Sequence, residues 1–338
     1  MKKKALITGV TGQDGAYLSE YLIKSGYKVF GAYRRSSTVN DWRLKTLGIN
    51  DEIEFVEFDL LEFSNILRTI EKIKPDIIFN LAAQSFVSTS FEQPIVTSDI
   101  NALGTMRILE AIKTLNHKIR FYQASTSEMF GMAQSKIQNE KTSFYPRSPY
   151  GVSKLFAHWA TINYRESYKM FVCSGILFNH ESPLRGHEFV TKKIVSSLTN
   201  IKFGKQKTLK LGNIYSKRDW GYARDFIEGM FKIATADIAD DYVLATGESH
   251  TIKEFCDMSA KYLKMDLIWK GEGINTKGIN KKDGKTIIEI DKKFYRPSEV
   301  DFLIGDASKA KSKLNWVPKT KFKDLIRIMI DFEISLHK

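Results

Sequence analysis

Of the 14 tyrosines in the sequence, only Tyr150 is followed four positions later by a lysine, in the run Ser148-Pro149-Tyr150-Gly151-Val152-Ser153-Lys154. Pro149 suits the start of a helix, and one helical turn puts Tyr150 and Lys154 on the same face. An ammonium group beside a phenol favours the phenolate, so such a pair can take a proton from a substrate hydroxyl near neutral pH. A tyrosine and a lysine on an ordinary exposed helix share the same spacing, so the pair gains weight only from its surroundings.

Those surroundings begin near the N-terminus, where the apolar run Ala5-Leu6-Ile7 leads into Gly9-Val10-Thr11-Gly12-Gln13-Asp14-Gly15. Glycine lets the backbone turn tightly and approach a diphosphate, whose charge then lies at the positive end of a helix starting near Gln13. The same glycines also suit a plain strand-to-helix turn. A second run, Lys28-Val29-Phe30-Gly31-Ala32-Tyr33, ends in Arg34-Arg35 where an acidic residue would bind the ribose hydroxyls of NAD. Guanidinium groups there favour the 2'-phosphate of NADP, the alternative being a solvated surface pair.

The elements that must position these groups are legible as apolar runs: Ala5 to Ile7, Val29 to Ala32, Ile53 to Phe58, Ile77 to Leu81, Arg120 to Gln123 and Phe171 to Phe178. Amphipathic stretches separate most of them. Continuous apolar strands alternating with helices predict an α/β fold, a Rossmann-type doubly wound parallel sheet whose ligands sit at the strands' C-terminal ends. The residues following those ends are Gly9, Arg34, Asp59-Leu60, Leu81-Ala82-Ala83-Gln84 and Ser125-Thr126-Ser127-Glu128. Beyond about residue 179 the alternation loosens, with loops expected over His180 to Glu188 and Gly271 to Lys285. The expected division is a dinucleotide-binding domain over 1–178, rejoined by about 222–240 through Arg224-Asp225-Phe226-Ile227. A smaller, discontinuous α/β substrate-binding domain takes most of 179–338.

Composition sets outer limits. The 338 residues are 43% hydrophobic and 27% charged, the balance of a folded enzyme rather than a disordered chain. A net charge of +13 raises the question of polyanion binding, but the lysines are scattered, with no basic helix and no nucleic-acid-binding motif, so no dedicated nucleic-acid site is expected. Met1-Lys2-Lys3-Lys4 mimics the basic end of a signal peptide, yet Thr8 and Gly9 break the apolar stretch behind it, and no run is long enough to span a bilayer. Cys173 and Cys256 have neither metal-ligand spacing nor a disulfide pattern; buried thiols in a cytoplasmic protein, with no metal site, are expected.

The glycine turn, the Tyr150 to Lys154 pair and Ser125-Thr126-Ser127 after a strand resemble the extended short-chain dehydrogenase/reductase family and, within it, the GDP-mannose 4,6-dehydratases. The likeness covers most of the chain. Phe121 to Glu128, Phe144 to Tyr150, Gly175 to Pro183, Arg218-Asp219-Trp220-Gly221 and Arg296-Pro297-Ser298-Glu299-Val300 also carry it. The resemblance implies an internal redox reaction with tightly bound, recycled NADP. Tyr150, supported by Lys154, would deprotonate the C4 hydroxyl while hydride leaves C4. Thr126 would hydrogen-bond near C4, and Glu128 would take the C5 proton and protonate the departing C6 hydroxyl before hydride returns to C6. Glu128 is what separates such a dehydratase from a plain reductase or epimerase.

By the same resemblance Gly9, Thr11, Gly12, Gln13, Asp14, Arg34, Asp59, Leu60, Leu81, Ala82, Ala83, Gln84, Ser85, Lys154, His180 and Arg185 are expected to contact NADP. Ser85, Asn179, Val190, Lys193, Arg218, Arg296 and Glu299 are expected to hold a GDP-sugar, and the chain to form a homodimer or homotetramer. The pattern departs from the family at Phe86, usually histidine, at Val96, usually tyrosine, and in a shorter segment between Arg35 and Phe55. These departures keep a GDP-manno-heptose open beside GDP-mannose as the sugar. A GDP-sugar epimerase or reductase, and a dinucleotide-sensing regulator without activity, are the remaining alternatives.

Overall fold

Alternate residues of the apolar runs end on opposite faces of one sheet. Ala5, Ile7, Ile77, Phe79, Tyr122 and Cys173 pack into one buried cluster, while their neighbours Leu6, Ile78, Phe121 and Val172 pack into another. This is the period-two geometry of a strand buried on both sides. The computed structural model describes residues 2–38, 40–116, 118–295, 300 and 302–337.

The first part of the chain runs β1 (Lys4–Thr8), α1 (Gln13–Lys24), β2 (Lys28–Tyr33), α2 (Trp42–Thr46), β3 (Glu54–Glu57), α3 (Phe63–Ile73) and β4 (Ile77–Asn80). It continues through α4 (Val87–Glu92), α5 (Pro94–Ser98), α6 (Gly104–Leu115), β5 (Arg120–Thr126), α7 (Pro149–Tyr168) and β6 (Val172–Leu177). Next come β7 (Asn179–Glu181), α8 (Val190–Lys202), β8 (Leu209–Leu211), β9 (Lys217–Arg218), β10 (Trp220–Tyr222), α9 (Ala223–Thr235) and β11 (Asp241–Leu244). The last elements are β12 (His250–Thr251), α10 (Ile252–Tyr262), β13 (Leu267–Lys270), β14 (Lys277–Asn280), β15 (Thr286–Ile290), α11 (Ser308–Leu314) and α12 (Phe322–Ser335).

The main sheet has seven parallel strands in the order β11-β6-β5-β4-β1-β2-β3. Strand order reverses between β1 and β4, so the connections leave in opposite directions there and a crevice opens at the strands' C-terminal ends. Helices α1 and α9 cover one face through Ala16, Leu22, Phe226 and Met230. Helices α3, α6 and α7 cover the other through Ile66, Ile70, Ile108, Ile112 and Tyr164. This is the doubly wound architecture read from the sequence.

A second, four-stranded sheet of order β13-β14-β15-β8 packs with α8, α10 and α12 around Leu198, Phe255, Ile288, Met329 and Ile330. Here the expectation of a loop over Gly271 to Lys285 is corrected. Strand β14 lies inside that stretch and pairs antiparallel with β13 and β15. Its Lys277, Gly278 and Asn280 carry little intrinsic strand preference, and the pairing partners on both sides impose the conformation. Strand β5 also runs on through Thr126, so Ser125 and Thr126 end a strand rather than follow one.

The turn after β1 is a tight junction that admits no side chain at Gly9 or Gly15. Gly9 has φ of 71°, and a Cβ there would stand 2.9 Å from Ala82 Cα. A Cβ on Gly15 would lie 2.3 Å from the Gly9 carbonyl oxygen and 2.6 Å from Val10 Cα, both rigid backbone. We predict that Gly15→Ala costs about 2 kcal/mol or more and lowers the thermal midpoint by several degrees. A midpoint within a degree of the parent would rule out this close approach.

Candidate active site

The crevice at the switch point is a cavity of about 430 Å³. Gly9, Thr11, Gly12, Gln13 and Asp14 line it from the turn, Leu81, Ala83 and Ser85 from the segment after β4, and Lys154, His180 and Arg185 from farther along the chain. The remaining residues expected at the cofactor do not line it. Arg34 is exposed just past β2. The Asp59 carboxylate accepts the Leu61 N–H at 3.0 Å, and Leu60 is buried in the core cluster with α3 and α6. Ala82 donates its N–H to Thr8 Oγ1 at 3.0 Å, while the Gln84 side chain holds the backbone of Phe86.

Thr126, Glu128, Tyr150 and Lys154 all line this cavity and are all buried. Ser148 caps α7 by accepting the Gly151 N–H at 3.0 Å, with Pro149 as the first helical residue, which fixes where Tyr150 and Lys154 enter the site. Thr126 ends β5 and accepts the Glu128 N–H at 3.2 Å, which brings the carboxylate-bearing turn against the same opening.

The electrostatics differ from the expectation of a phenol acidified by its lysine. Burial raises the Tyr150 phenol to about 12, against a lowering hydrogen bond with Thr126 and reinforced by the charge of Glu128. Lys154 is not among the larger influences on it. Its ammonium donates instead to the Ala124 carbonyl at 2.6 Å, and burial lowers its pKa to about 8. Loss of water disfavours both charged forms, and a backbone carbonyl satisfies the ammonium.

A polar bridge joins the glycine turn to the strand β7. Gln13 donates to the His180 carbonyl at 3.1 Å and to Asp14 at 3.0 Å, and accepts from Ser182 at 2.7 Å. His180 Nε2 meets Asp14 Oδ2 at 2.9 Å, Nδ1 lies 2.8 Å from the Phe178 carbonyl, and the ring stacks on Phe226. His180 is therefore both a satisfied histidine and part of the cavity wall. Burial opposes ionisation of Asp14, but the charge of His180 and hydrogen bonds from His180 and Gln13 outweigh it and hold the carboxyl at about 2. Burial likewise lowers the His180 pKa, yet Asp14 raises it further, for a net rise.

A second cavity, of about 460 Å³, adjoins the first, and Val87, Glu128, Asn179, Glu188 and Phe189 line both. Asn179, Val190, Lys193 and Arg218, all expected at the sugar nucleotide, line it; Ser85 faces only the first cavity. The Lys193 ammonium sits 3.4 Å from the Phe294 ring centroid, and burial lowers its pKa. Arg218 donates to the Val300 carbonyl at 2.7 Å. Arg296 and Glu299 lie outside the described residues. Val96, on α5, lines neither cavity.

The sequence reading missed Arg43 and the aromatic residues Phe189 and Phe294. Arg43 lines the first cavity, donating from Nε to the Leu184 carbonyl at 2.7 Å and from Nη1 to the Thr11 carbonyl at 3.0 Å. Both partners are distant in sequence, so no local spacing signals the contact. The glycine turn suits a dinucleotide diphosphate, since a Cβ on Gly12 would stand 3.2 Å from the Gly9 carbonyl and narrow the backbone cradle at the N-terminus of α1.

The Asp14–His180 pair yields a pH prediction. The depressed Asp14 pKa contributes stability that is present above the ordinary carboxylate range and lost as pH falls through about 2. The raised His180 pKa contributes stability that is complete below about 6.5 and lost as pH rises through the raised value. The pair should therefore stabilise the protein most between about pH 4.5 and 6.5. Nuclear magnetic resonance titration of His180 should give a pKa above the ordinary histidine value, and Asp14→Asn should lower it; a midpoint unmoved by that substitution would break the assignment.

The sequence profile described as GDP-mannose 4,6 dehydratase matches residues 6–329. The chain is 46% identical to the GDP-mannose 4,6 dehydratase of Cricetulus griseus over 99% of its length and 92% of that protein. It is 47% identical to the GDP-mannose 4,6-dehydratase of Sinorhizobium fredii over 99% of its length and 97% of that protein. Among solved structures, the dTDP-glucose 4,6-dehydratase of Bacillus anthracis in complex with NAD superposes with a TM-score of 0.81 at 22% identity, covering 98% of this chain and 97% of that one, a likeness of fold. With the profile spanning nearly the whole chain and relatives this close end to end, the chain belongs to the GDP-mannose 4,6-dehydratase family.

Proposed function

We propose that the chain catalyses the NADP-dependent 4,6-dehydration of GDP-D-mannose to GDP-4-keto-6-deoxy-D-mannose, a precursor for fucose- or rhamnose-type deoxysugars. The observation that carries this reading is Glu128, which lines both cavities at their junction while Tyr150 and Lys154 line the first. A reductase or epimerase has no need of a carboxylate there, and a regulator has no need of the full set Thr126, Glu128, Tyr150 and Lys154.

NADP would be held along the glycine turn, with Arg34 suited to its 2'-phosphate, and would supply the hydride acceptor for C4 and the donor for C6. Tyr150 takes the proton from the C4 hydroxyl. It does so as the phenolate: burial raises the phenol to about 12, and the Thr126 hydrogen bond together with the positive charge of Lys154 in the same cavity, mostly protonated at neutral pH with a pKa of about 8, works against that rise. The ketone at C4 acidifies the C5 proton. Glu128 removes that proton and passes it to the C6 oxygen, which leaves as water as the C5–C6 double bond forms. The proton that Tyr150 took from the C4 hydroxyl returns to C5 as hydride returns to C6, so the sugar loses one water with no net oxidation and Tyr150 is restored. Lys193 and Arg218 serve the GDP moiety, as cations suited to a diphosphate.

The division into an NADP-binding part over 1–178, rejoined by about 222–240, and a GDP-sugar-binding part over most of 179–338 belongs to the same proposal. It is supported by α9, within 222–240, packing on the main sheet, and β11, just past that segment, also joins the sheet beside β6. A cytoplasmic homodimer or homotetramer is also part of this reading; no described helix is long and apolar enough to cross a membrane.

The test is mass spectrometry of the NADP-loaded protein with GDP-mannose. The expected product is lighter by one water, without accumulation of NADPH. Glu128→Gln should stop after C4 oxidation, leaving reduced cofactor and lowering dehydration by about 100-fold or more; native-rate dehydration by that variant would remove Glu128 from the mechanism. Arg34→Ala should weaken NADP far more than NAD in binding titrations, and equal losses would overturn the choice of NADP.

A further inference from the structure

Three buried side chains on α7, Tyr150, Lys154 and His158, recur at every fourth residue and so share one face of the helix. Each meets the end of β5 at a different residue. Tyr150 shares a hydrogen bond with Thr126, Lys154 donates to the Ala124 carbonyl at 2.6 Å, and His158 Nδ1 lies 3.2 Å from Ser125 Oγ. Tyr150 and Lys154 have parts in the reaction proposed above; His158 has none. It is 3% exposed and Ser125 2%, so the hydrogen bond between them is shielded from water and costly to break. The imidazole meets the Phe144 ring edge-on, with 5.5 Å between centroids, and also borders a separate cavity of about 860 Å³ together with Leu155 and Trp159. Packing around the ring is therefore incomplete, and at this level of α7 it is the hydrogen bond to Ser125 that ties helix to strand.

We propose that His158, acting through Ser125, is a positioning residue for the proton transfer at Tyr150: it fixes the end of β5 so that Thr126 stays within hydrogen-bonding reach of the phenol. The proposal rests on the reading above that Tyr150 is the base. Ser125 and Thr126 are consecutive residues of one strand, joined by a stiff planar peptide, so a shift of the first carries the second with it. The Thr126 hydrogen bond is the largest influence that favours the phenolate; burial, Glu128 and Asp14 oppose it, and Arg185 gives a smaller charge in its support. Loosening Thr126 therefore leaves the phenol harder to ionise. Around His158 the nearby charges are Asp241 on β11 and Arg165 on its own helix, which pair with each other. Burial lowers the His158 pKa, so the ring is neutral at neutral pH and can share one hydrogen bond with the Ser125 hydroxyl.

The experiment measures kcat, KM for GDP-D-mannose and the pH profile of kcat on the NADP-loaded full chain, on His158→Phe, on Ser125→Ala, on the double variant and on His158→Gln, with thermal midpoints and NADP affinity recorded for each. His158→Phe and Ser125→Ala should each lower kcat at neutral pH by about 10-fold, leave KM within about twofold and move the acidic limb of the profile up by about one pH unit. The double variant should be no slower than either single one, because both remove the same hydrogen bond. His158→Gln, whose amide can still bond a hydroxyl, should keep kcat within about threefold of the parent. An acidic limb that stays in place in the single variants, losses that multiply in the double variant, or a His158→Gln variant as slow as His158→Phe overturns the proposal while leaving the dehydration reading intact. Should His158→Phe fail to fold, the acidic limb of Ser125→Ala decides alone. Failure of the parent to dehydrate GDP-mannose overturns both.

Discussion

A chain of buried hydrogen bonds across the ends of three neighbouring strands holds the crevice in shape. Thr8 at the end of β1 donates to Asn80 at the end of β4 at 2.8 Å, and Asn80 donates to Gln123 on β5 at 2.8 Å. Thr8 Oγ1 also accepts the N–H groups of Leu81 and Ala82. The segment that gives Leu81, Ala83 and Ser85 to the cavity is thereby pinned against Gly9, where no side chain would fit. Thr8, Asn80 and Gln123 are buried, so losing one of them leaves its partner unsatisfied, at a cost of about 1–3 kcal/mol. The positions of the phosphate-binding turn, the post-β4 segment and the strand bearing Thr126 are thus coupled, not set one by one.

The segment from Ser182 to Phe189 plays the corresponding part between the two cavities. It carries Arg185 on the cofactor side and Phe189 at the junction, and is held from beneath. Lys192 on α8 is buried, donates to the Pro183 carbonyl at 2.8 Å and pairs with Glu333 on α12. Glu181 on β7 pairs with Arg185 at 3.1 Å and accepts from Thr191. Removing one partner of such a buried pair strands the other charge in a dry interior, which costs far more than the pair contributes. The last long helix therefore bears on a site to which it gives no lining residue.

The charges that matter are local and paired, while the surplus of +13 sits mostly in scattered lysines. Inside the crevice Asp14 is ionised because His180 faces it, and Lys154 keeps its proton at neutral pH beside a carbonyl. Tyr150 shows that burial can outweigh a nearby hydroxyl and hold a phenol neutral. Proximity of a lysine in sequence does not settle where its ammonium points.

Strand and helix succession, the turn from β1 into α1, and the joint arrival of Thr126, Glu128, Tyr150 and Lys154 at one cavity were legible because local patterns encode them. Glycine has no side chain to obstruct a turn, apolar alternation has the period of a strand, and a four-residue spacing is one turn of helix. Strand β14 was not legible, since lysine and glycine have little preference of their own and its pairing comes from distant strands. Nor was Arg43, whose hydrogen bonds reach Thr11 and Leu184. The sequence by itself determined the architecture, the residue types at the strand ends and, through resemblance, the family. Only the tertiary structure decided that Lys154 turns to Ala124, that His180 binds Asp14 and that Phe86 meets Phe189, because those contacts depend on burial and on partners brought together by folding.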